Sequence, residues 1–582
     1  MILQALKEYY DRMAADPESG IAPLGWEWKE IPYVIVLNED GTVAQVEDTQ
    51  ELVNKKKRAK LFLVPQAVKR SVNIAANLLW DNVEYVSGTI CKKENDKSKQ
   101  EKQEKQVKER HNVFRKRLND LSTSAPIEII QKFLSRPNKI EELKEHPTWL
   151  EAIDSCAFVT FKLVGETKII ANMPLVVEEL NKRFANQTST ELTSTCLISG
   201  EQDTIALTHP ALKGVSGCNT SGGNIVSFNI KAAESFSKEQ GKNAPIGERS
   251  AFAYTTALNT LLRKGSHQKM SIGDASVVFW SEKKSNLEDS FLDLFGEPEK
   301  DNPNKNTALV AQLLSSVETG VYSPEANETK FYILGLSPNA ARISIRFWHV
   351  GTVAEMETRF ANWFKDLQIV HGPKEKEHLS LWRLLISTAM EGKTDKINPN
   401  LAGAVMRAIL SGLPLPDTLR NAVLTRIKAE REVSYPRAKL LKAYLNRLTT
   451  ERKFTVSLDL ECQSIGYCLG RLFATLEKIQ EEANPGLNAT IRDRFYASAS
   501  SAPVTVFANL LRLSNHHRGK LSNGRRGYFE KLLGEIIAKY AKFPAHLSLN
   551  EQAEFAIGYY HQRQDFFTKK NDGDNAETSN NA

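Results

Sequence analysis

The chain of 582 residues has only six cysteines, Cys91, Cys156, Cys196, Cys218, Cys462 and Cys468, and no C-x-x-C pair among them. That argues against a zinc site and against a disulfide framework, and it fits a reducing cytoplasm. No stretch reaches the roughly 18 consecutive apolar residues of a membrane span. The start, Met1-Ile-Leu-Gln-Ala-Leu-Lys-Glu-Tyr-Tyr10, lacks the basic-then-apolar order of a signal peptide. Catalytic spacings are missing too. No Gly-Lys-Ser/Thr follows a glycine run, so there is no ATPase-type phosphate loop. Cys218 stands where a nucleophile elbow around Ser216 needs glycine. His516 and His517 are adjacent and cannot share one helix face at ligand spacing. Ser235-Phe-Ser-Lys238 matches Ser-x-x-Lys, a pattern common by chance. Asp459 and Glu461 have no third acid or histidine beside them. The expectation is a protein that is not an enzyme and has no cofactor, no metal and no membrane contact.

Charge is present but unevenly placed. The formal net charge is +7. Residues 54–117 hold 18 Lys/Arg against 7 Asp/Glu, a net of +11, and the remainder is net −4. One segment therefore carries more than the whole excess, as expected for contact with a phosphate backbone. The 41% hydrophobic and 25% charged content is that of a globular chain, and the length suits roughly two to four domains.

Periodicity divides the chain into an α+β N-terminal region, 1–375, and an all-α C-terminal helical bundle, 376–568. A polar, Asn-rich tail, 569–582, has the composition of a disordered segment. In the first region the pattern predicts a helix over Ile2–Met13. It predicts a hairpin of Tyr33–Leu37 and Thr42–Val46 about an Asn38–Gly41 turn. Strands are expected at Leu61–Val64, Ala157–Leu163, Ser276–Trp280, Phe331–Leu336 and Ile343–Val350. Ala232–Gln240 and Arg249–Lys264 read as helices, and Lys92–Arg117 as a solvated helix or a mobile arm. Helical spacing then predicts 379–391, 400–411, 416–432, 436–449, 463–483, 489–496, 503–518, 527–542 and 550–568.

The stretch Lys213-Gly-Val-Ser-Gly-Cys-Asn-Thr-Ser-Gly-Gly-Asn224 is the most informative one. Glycine lets a backbone adopt φ > 0 and approach a ligand closely. Short amides and hydroxyls meet base edges in a groove. Lys213, Asn219, Thr220, Ser221, Gly222 and Asn224 are therefore DNA-contact candidates, with an ordinary surface turn as the alternative. Gln66, Lys69, Arg70, Asn73 and Asn77 combine phosphate-type and base-type side chains, with a structural turn as the alternative. Arg492, Arg494, Arg512, His516, Arg518, Lys520, Arg525 and Arg526 suit a face that holds a single strand, or else pair with acids such as Glu530. Tyr559, Tyr560, Phe566 and Phe567 read as core, with base-stacking platforms as the alternative.

Longer stretches carry a resemblance. They include Met1-Ile-Leu-Gln-Ala-Leu6, Phe62-Leu-Val-Pro65, Ala76-Asn77-Leu-Leu-Trp80-Asp81-Asn82 and Gly217–Asn229. Others are Asn243-Ala-Pro245, Leu334-Gly-Leu-Ser-Pro-Asn339, Arg346-Phe-Trp-His349 and Gly558-Tyr-Tyr-His-Gln-Arg563. Over about residues 1–568 the chain resembles the large subunit of the type I-C CRISPR surveillance complex (Cascade). The resemblance implies a non-catalytic prokaryotic cytoplasmic subunit. Such a subunit recognises the protospacer-adjacent motif (PAM) in duplex DNA, assists strand separation and R-loop formation, and holds the displaced strand. The implied partners are a CRISPR guide RNA, target double-stranded DNA, the backbone and guide-processing Cas subunits, and the Cas helicase-nuclease. A small subunit, which the C-terminal part resembles, completes the set. The resemblance assigns no residue to a base, so the candidates above rest on side-chain chemistry. An RNA-binding scaffold and a nuclease are the rival readings.

Overall fold

The computed structural model describes residues 2–53, 56–68, 70, 74–92, 97–121, 124–186, 193–219, 221–228, 230–272, 275–296, 305–319, 324–340, 342–393, 396–449 and 453–567. They form two compact units, chiefly Leu3–Pro210 with Val226–Thr260, and Ala211–Ile225 with Leu261 onward. Each unit has its own apolar core. No described helix is long and apolar enough to cross a membrane.

The first unit is organised by a mixed sheet in the order Val43–Asp48, Tyr33–Leu37, Phe158–Leu163, Trp80–Asn82. Tyr33–Leu37 is apolar and buried at every position. It is flanked on both edges, antiparallel to Val43–Asp48 and parallel to Phe158–Leu163, which is why it shows no polar alternation. The expected turn closes the hairpin. The Gly41 N–H donates to the Asn38 carbonyl at 2.9 Å, with Gly41 at φ 82°.

Lys97–Asn119 is a helix with one packed face. Val107, His111, Phe114 and Leu118 recur at spacings of four, three and four and are buried, the stripe that seats a helix on a core. Lys102, Lys105, Lys108 and Lys116 stay exposed. The expected helix over Ala232–Gln240 does not form; only short 3-10 turns at Lys231–Ala233 and Gln240–Asn243 do. Asn243 is the reason. Its Oδ1 accepts from the Ser235 N–H, and its Nδ2 donates to the Lys238 and Gln240 carbonyls. Those bonds satisfy the backbone in a non-helical path.

The second unit begins with an antiparallel meander of Lys269–Ile272, Ala275–Ser281, Lys330–Asn339 and Arg342–Thr352. The predicted helices follow as Leu381–Ile386, Pro399–Ser411, Asp417–Glu430, Tyr435–Leu448, Ile465–Ala483, Ile491–Ala499, Phe507–Arg518, Asn523–Ile537 and Leu549–Asp565. The fold class is thus α+β followed by a helical bundle. One core runs from Met270 through Phe360 to Tyr560, so the meander and the bundle bury their apolar faces together. The tail 569–582 lies outside the described residues.

Three histidines with buried rings are expected to make this fold acid-sensitive. Burial first, then the neighbouring Lys442, lowers His561 to about 3, against the opposing Asp459. Burial is also the largest cause that lowers His111 and His378 to about 4. His111 shows how a neutral ring is held: its Nδ1 faces the Tyr85 carbonyl at 2.9 Å and its Nε2 the Lys139 ammonium at 3.1 Å. The ammonium can only donate, so Nε2 accepts and Nδ1 carries the proton. A histidine whose folded pKa lies below its unfolded ~6.5 stabilises fully above that pH and less as pH falls toward the folded value. Each ring is expected to cost about 2 kcal/mol at about pH 5 relative to pH 7.5. Melting curves across this range should show Tm falling with pH, and His561→Gln should flatten the profile. A pH-independent Tm would refute the assignment.

Candidate nucleic-acid interface

Residues 212–223 form a closed loop on the second unit. Leu212 and Gly223 exchange backbone hydrogen bonds of 2.8 and 2.9 Å at its neck. Inside it, the Gly222 N–H donates to the Asn219 carbonyl and the Cys218 N–H to the Val215 carbonyl. Leu212 and Val215 are buried and anchor it. Gly214 and Gly222 have φ of 88° and 90°. A Cβ at Gly214 would fall on the Leu262 carbonyl oxygen, and one at Gly222 would lie 2.6 Å from the Leu212 carbonyl oxygen. Both positions therefore require glycine, for conformation and for space.

Groups distant in sequence brace the loop. Lys269 donates to the carbonyls of Gly214 at 2.7 Å and Leu262 at 2.9 Å, and burial lowers its pKa. The Ser276 hydroxyl accepts from the Ser216 N–H at 3.0 Å. Asn224 bridges to Arg342, and the Ile343 N–H donates to the Asn224 carbonyl at 3.0 Å. The outer surface then presents Lys213, Ser216, Asn219 and Ser221, all exposed, with Asn224 half-buried. Thr220 lies outside the described residues. A braced loop of this kind presents an ammonium, an amide and hydroxyls on a backbone whose ordering cost is already met. Sequence reading missed Lys269, Ser276 and Arg342; nothing local marks them, since Ser276 is 60 residues from Ser216.

The second candidate group belongs to the first unit, and two of its members are structural. Asn77 is buried, its Oδ1 accepting from the Val68 N–H at 3.0 Å. The Arg70 guanidinium is paired with the fully buried Asp81, donates to the Ala75 carbonyl at 2.7 Å and lies 4.1 Å over the Tyr85 ring. Burial raises the Asp81 pKa, and Arg70 opposes that rise. Removing one partner of such a pair strands a buried charge, so Arg70 serves the fold before any phosphate. Gln66 is half-buried, with its N–H on the Gly25 carbonyl. Lys69 and Asn73 lie outside the described residues.

The basic residues of the bundle are divided by their acids. Arg492 is half-buried, 3.8 Å from the buried Glu477, which also accepts from Thr490 and Tyr559. Arg525 meets Glu482 through two bonds, at 2.9 and 2.7 Å, and Arg526 meets Glu530 at 3.0 Å. Arg518 lies 3.6 Å from Glu530, Lys520 donates to Asn484 and Arg512 to Asn509. Arg494 is exposed and makes no hydrogen bond or ion pair among the described residues. His516 is exposed beside His517, whose pKa is lowered by burial and then by Lys520 and His516. Exposed pairs contribute only about 0–1 kcal/mol, so Glu530 ties up Arg526 only weakly.

Among the described residues one group has metal-ligand spacing, Glu84 with Cys91 and Cys156, their ligand atoms within 4.8 Å of one another. Cys91 and Cys156 are joined as a disulfide between Cα atoms 5.3 Å apart, a single bridge rather than a disulfide framework. They stand 65 residues apart, so only tertiary packing brings them together. The Glu84 carboxylate is taken by Arg110. Asp459, an acid weighed for chemistry, instead accepts from the Glu461 and Cys462 N–H groups in a turn.

No curated relative matches the chain. The model of a family described as CRISPR-associated protein (Cas_Csd1) matches residues 6–567. With the match spanning the α+β unit, the loop and the bundle alike, the chain belongs to the Cas_Csd1 family of CRISPR-associated proteins.

Proposed function

We propose that the chain is the non-catalytic large subunit of a type I-C guide-RNA surveillance complex and reads the PAM of duplex DNA with the loop 212–224. The observation that carries this reading is the loop itself, braced from three sides with Lys213, Ser216, Asn219 and Ser221 exposed. A groove reader needs short polar groups on a backbone that approaches closely, and a phosphate anchor beside them. Exchange of a DNA duplex for a guide–target duplex is nearly balanced, so modest protein contacts suffice to tip strand separation. In this reading the exposed Arg494, Arg512, His516 and Lys520 hold the displaced strand, and the subunit helps recruit the Cas helicase-nuclease.

The test is salt dependence. Lys213→Ala in the assembled complex is expected to weaken binding on PAM-bearing and PAM-less duplexes alike. The slope of log K against log[salt] should flatten by about one unit. An unchanged slope removes Lys213 as a phosphate anchor. A scaffold reading is favoured by one observation, the exposed lysines of Lys97–Asn119. It holds if that slope and the PAM preference both survive every change to the loop.

A further inference from the structure

Phe236 is 93% exposed, more than any other large apolar side chain among the described residues. It sits at the tip of a tight turn, in which the Lys238 N–H donates to the Ser235 carbonyl at 2.9 Å. Both central residues are left-handed, with φ of 51° at Phe236 and 58° at Ser237. Such a turn ordinarily selects Asn-Gly, and a phenylalanine there is held against its own preference. The hold is Asn243, whose amide makes three hydrogen bonds across the base of the turn. A braced outlier that lifts an aromatic ring into water calls for a functional reason.

We propose that Phe236 is a stacking finger for an unpaired nucleobase, with Lys231 and Lys238 as flanking phosphate contacts. A hot-spot anchor for a protein partner sits in an apolar, water-excluding collar. Around this ring the turn offers Ser235, Ser237, Lys238 and Gln240, all exposed and polar, and Glu234 and Glu239 are exposed beside them. A base needs only a ring face and nearby cations, and every base supplies a π-face. The turn prepays the ordering of the backbone that carries the ring, leaving only the side-chain rotamer to fix on stacking. The base comes from the guide RNA or from opened target DNA, which share this chemistry. The inference rests on the nucleic-acid part of the function proposed above, not on PAM reading.

The test uses Phe236→Gly and Phe236→Asn, both at ease at positive φ, so the turn is kept while the ring is lost. Affinity of the full chain for single-stranded DNA and RNA oligonucleotides is expected to fall by about 5- to 150-fold, and Phe236→Trp to restore it. A photocrosslinking phenylalanine analogue at 236 in the assembled complex should label the guide RNA or a DNA strand, which decides the source. Binding by both small variants within about twofold of the parent overturns the proposal. So does crosslinking to another protein subunit alone. Failure of the loop reading shows separately, as unchanged discrimination between duplexes, a quantity that single-strand binding does not contain.

Discussion

Alanine at Asn219, Ser221 and Asn224 together is expected to cut the preference of the assembled complex for PAM-bearing duplex by about 10- to 100-fold. A good base contact is worth about 1–3 kcal/mol of discrimination, and each factor of ten is about 1.4 kcal/mol. Binding to both duplexes, measured at one salt concentration, gives the ratio directly. Gly214→Ala should lose at least as much by another route. Its Cβ falls on the Leu262 carbonyl oxygen, so the loop must leave its frame although no exposed side chain has changed. Full discrimination in the triple-alanine variant would mean that the bases are read elsewhere.

Gly470→Ala is expected to destabilise the second unit by about 3 kcal/mol, against the usual preference for alanine in helices. Helix propensity alone favours alanine by about 1 kcal/mol. Packing opposes it. Helix Ile465–Ala483 meets helix Leu549–Asp565 through Gly466, Gly470 and Gly558. A Cβ at Gly470 would fall on the Phe555 carbonyl oxygen and lie 2.7 Å from the Tyr559 nitrogen. Those are backbone atoms, and Gly558 is pinned in turn against the Tyr467 carbonyl. Overpacking costs about 1–3 kcal/mol where side chains can yield and more where backbone must. Gly534, exposed in helix Asn523–Ile537 with open space around it, is the control. Gly534→Ala should stabilise by up to about 1 kcal/mol. Denaturant unfolding should give opposite signs for the two substitutions; equal signs would refute the close helix contact as the deciding term.

The legible parts of this protein are those whose signal is local. The helices after residue 379 follow from apolar residues three and four apart, as in Leu469, Leu472, Phe473 and Leu476, all buried. The Asn38–Gly41 turn follows from its own four residues. Val107, Phe114 and Leu118 carried the packed stripe of Lys97–Asn119, but the surrounding charge hid it. Ala232–Gln240 went wrong because a side chain three residues beyond that window, Asn243, holds the turn.

The candidate site divides the same way. Glycines 214 and 222 and the short polar residues between them mark a tight polar loop in sequence, since their conformational freedom belongs to each residue alone. Whether a lysine, arginine or asparagine faces solvent does not. Arg70 and Asn77 carry the same side chains as a DNA contact, yet Asp81 and Val68 claim them. Lys269 reads as one more surface cation, yet it holds the loop by the Gly214 carbonyl 55 residues away. Sequence by itself determined most element types, the helical C-terminal region and the places where the loop needs glycine, because backbone preference and periodicity act within a few residues. Only the tertiary structure decided which polar groups are spent inside the protein, because burial obliges each donor and charge to take whatever partner packing brings near.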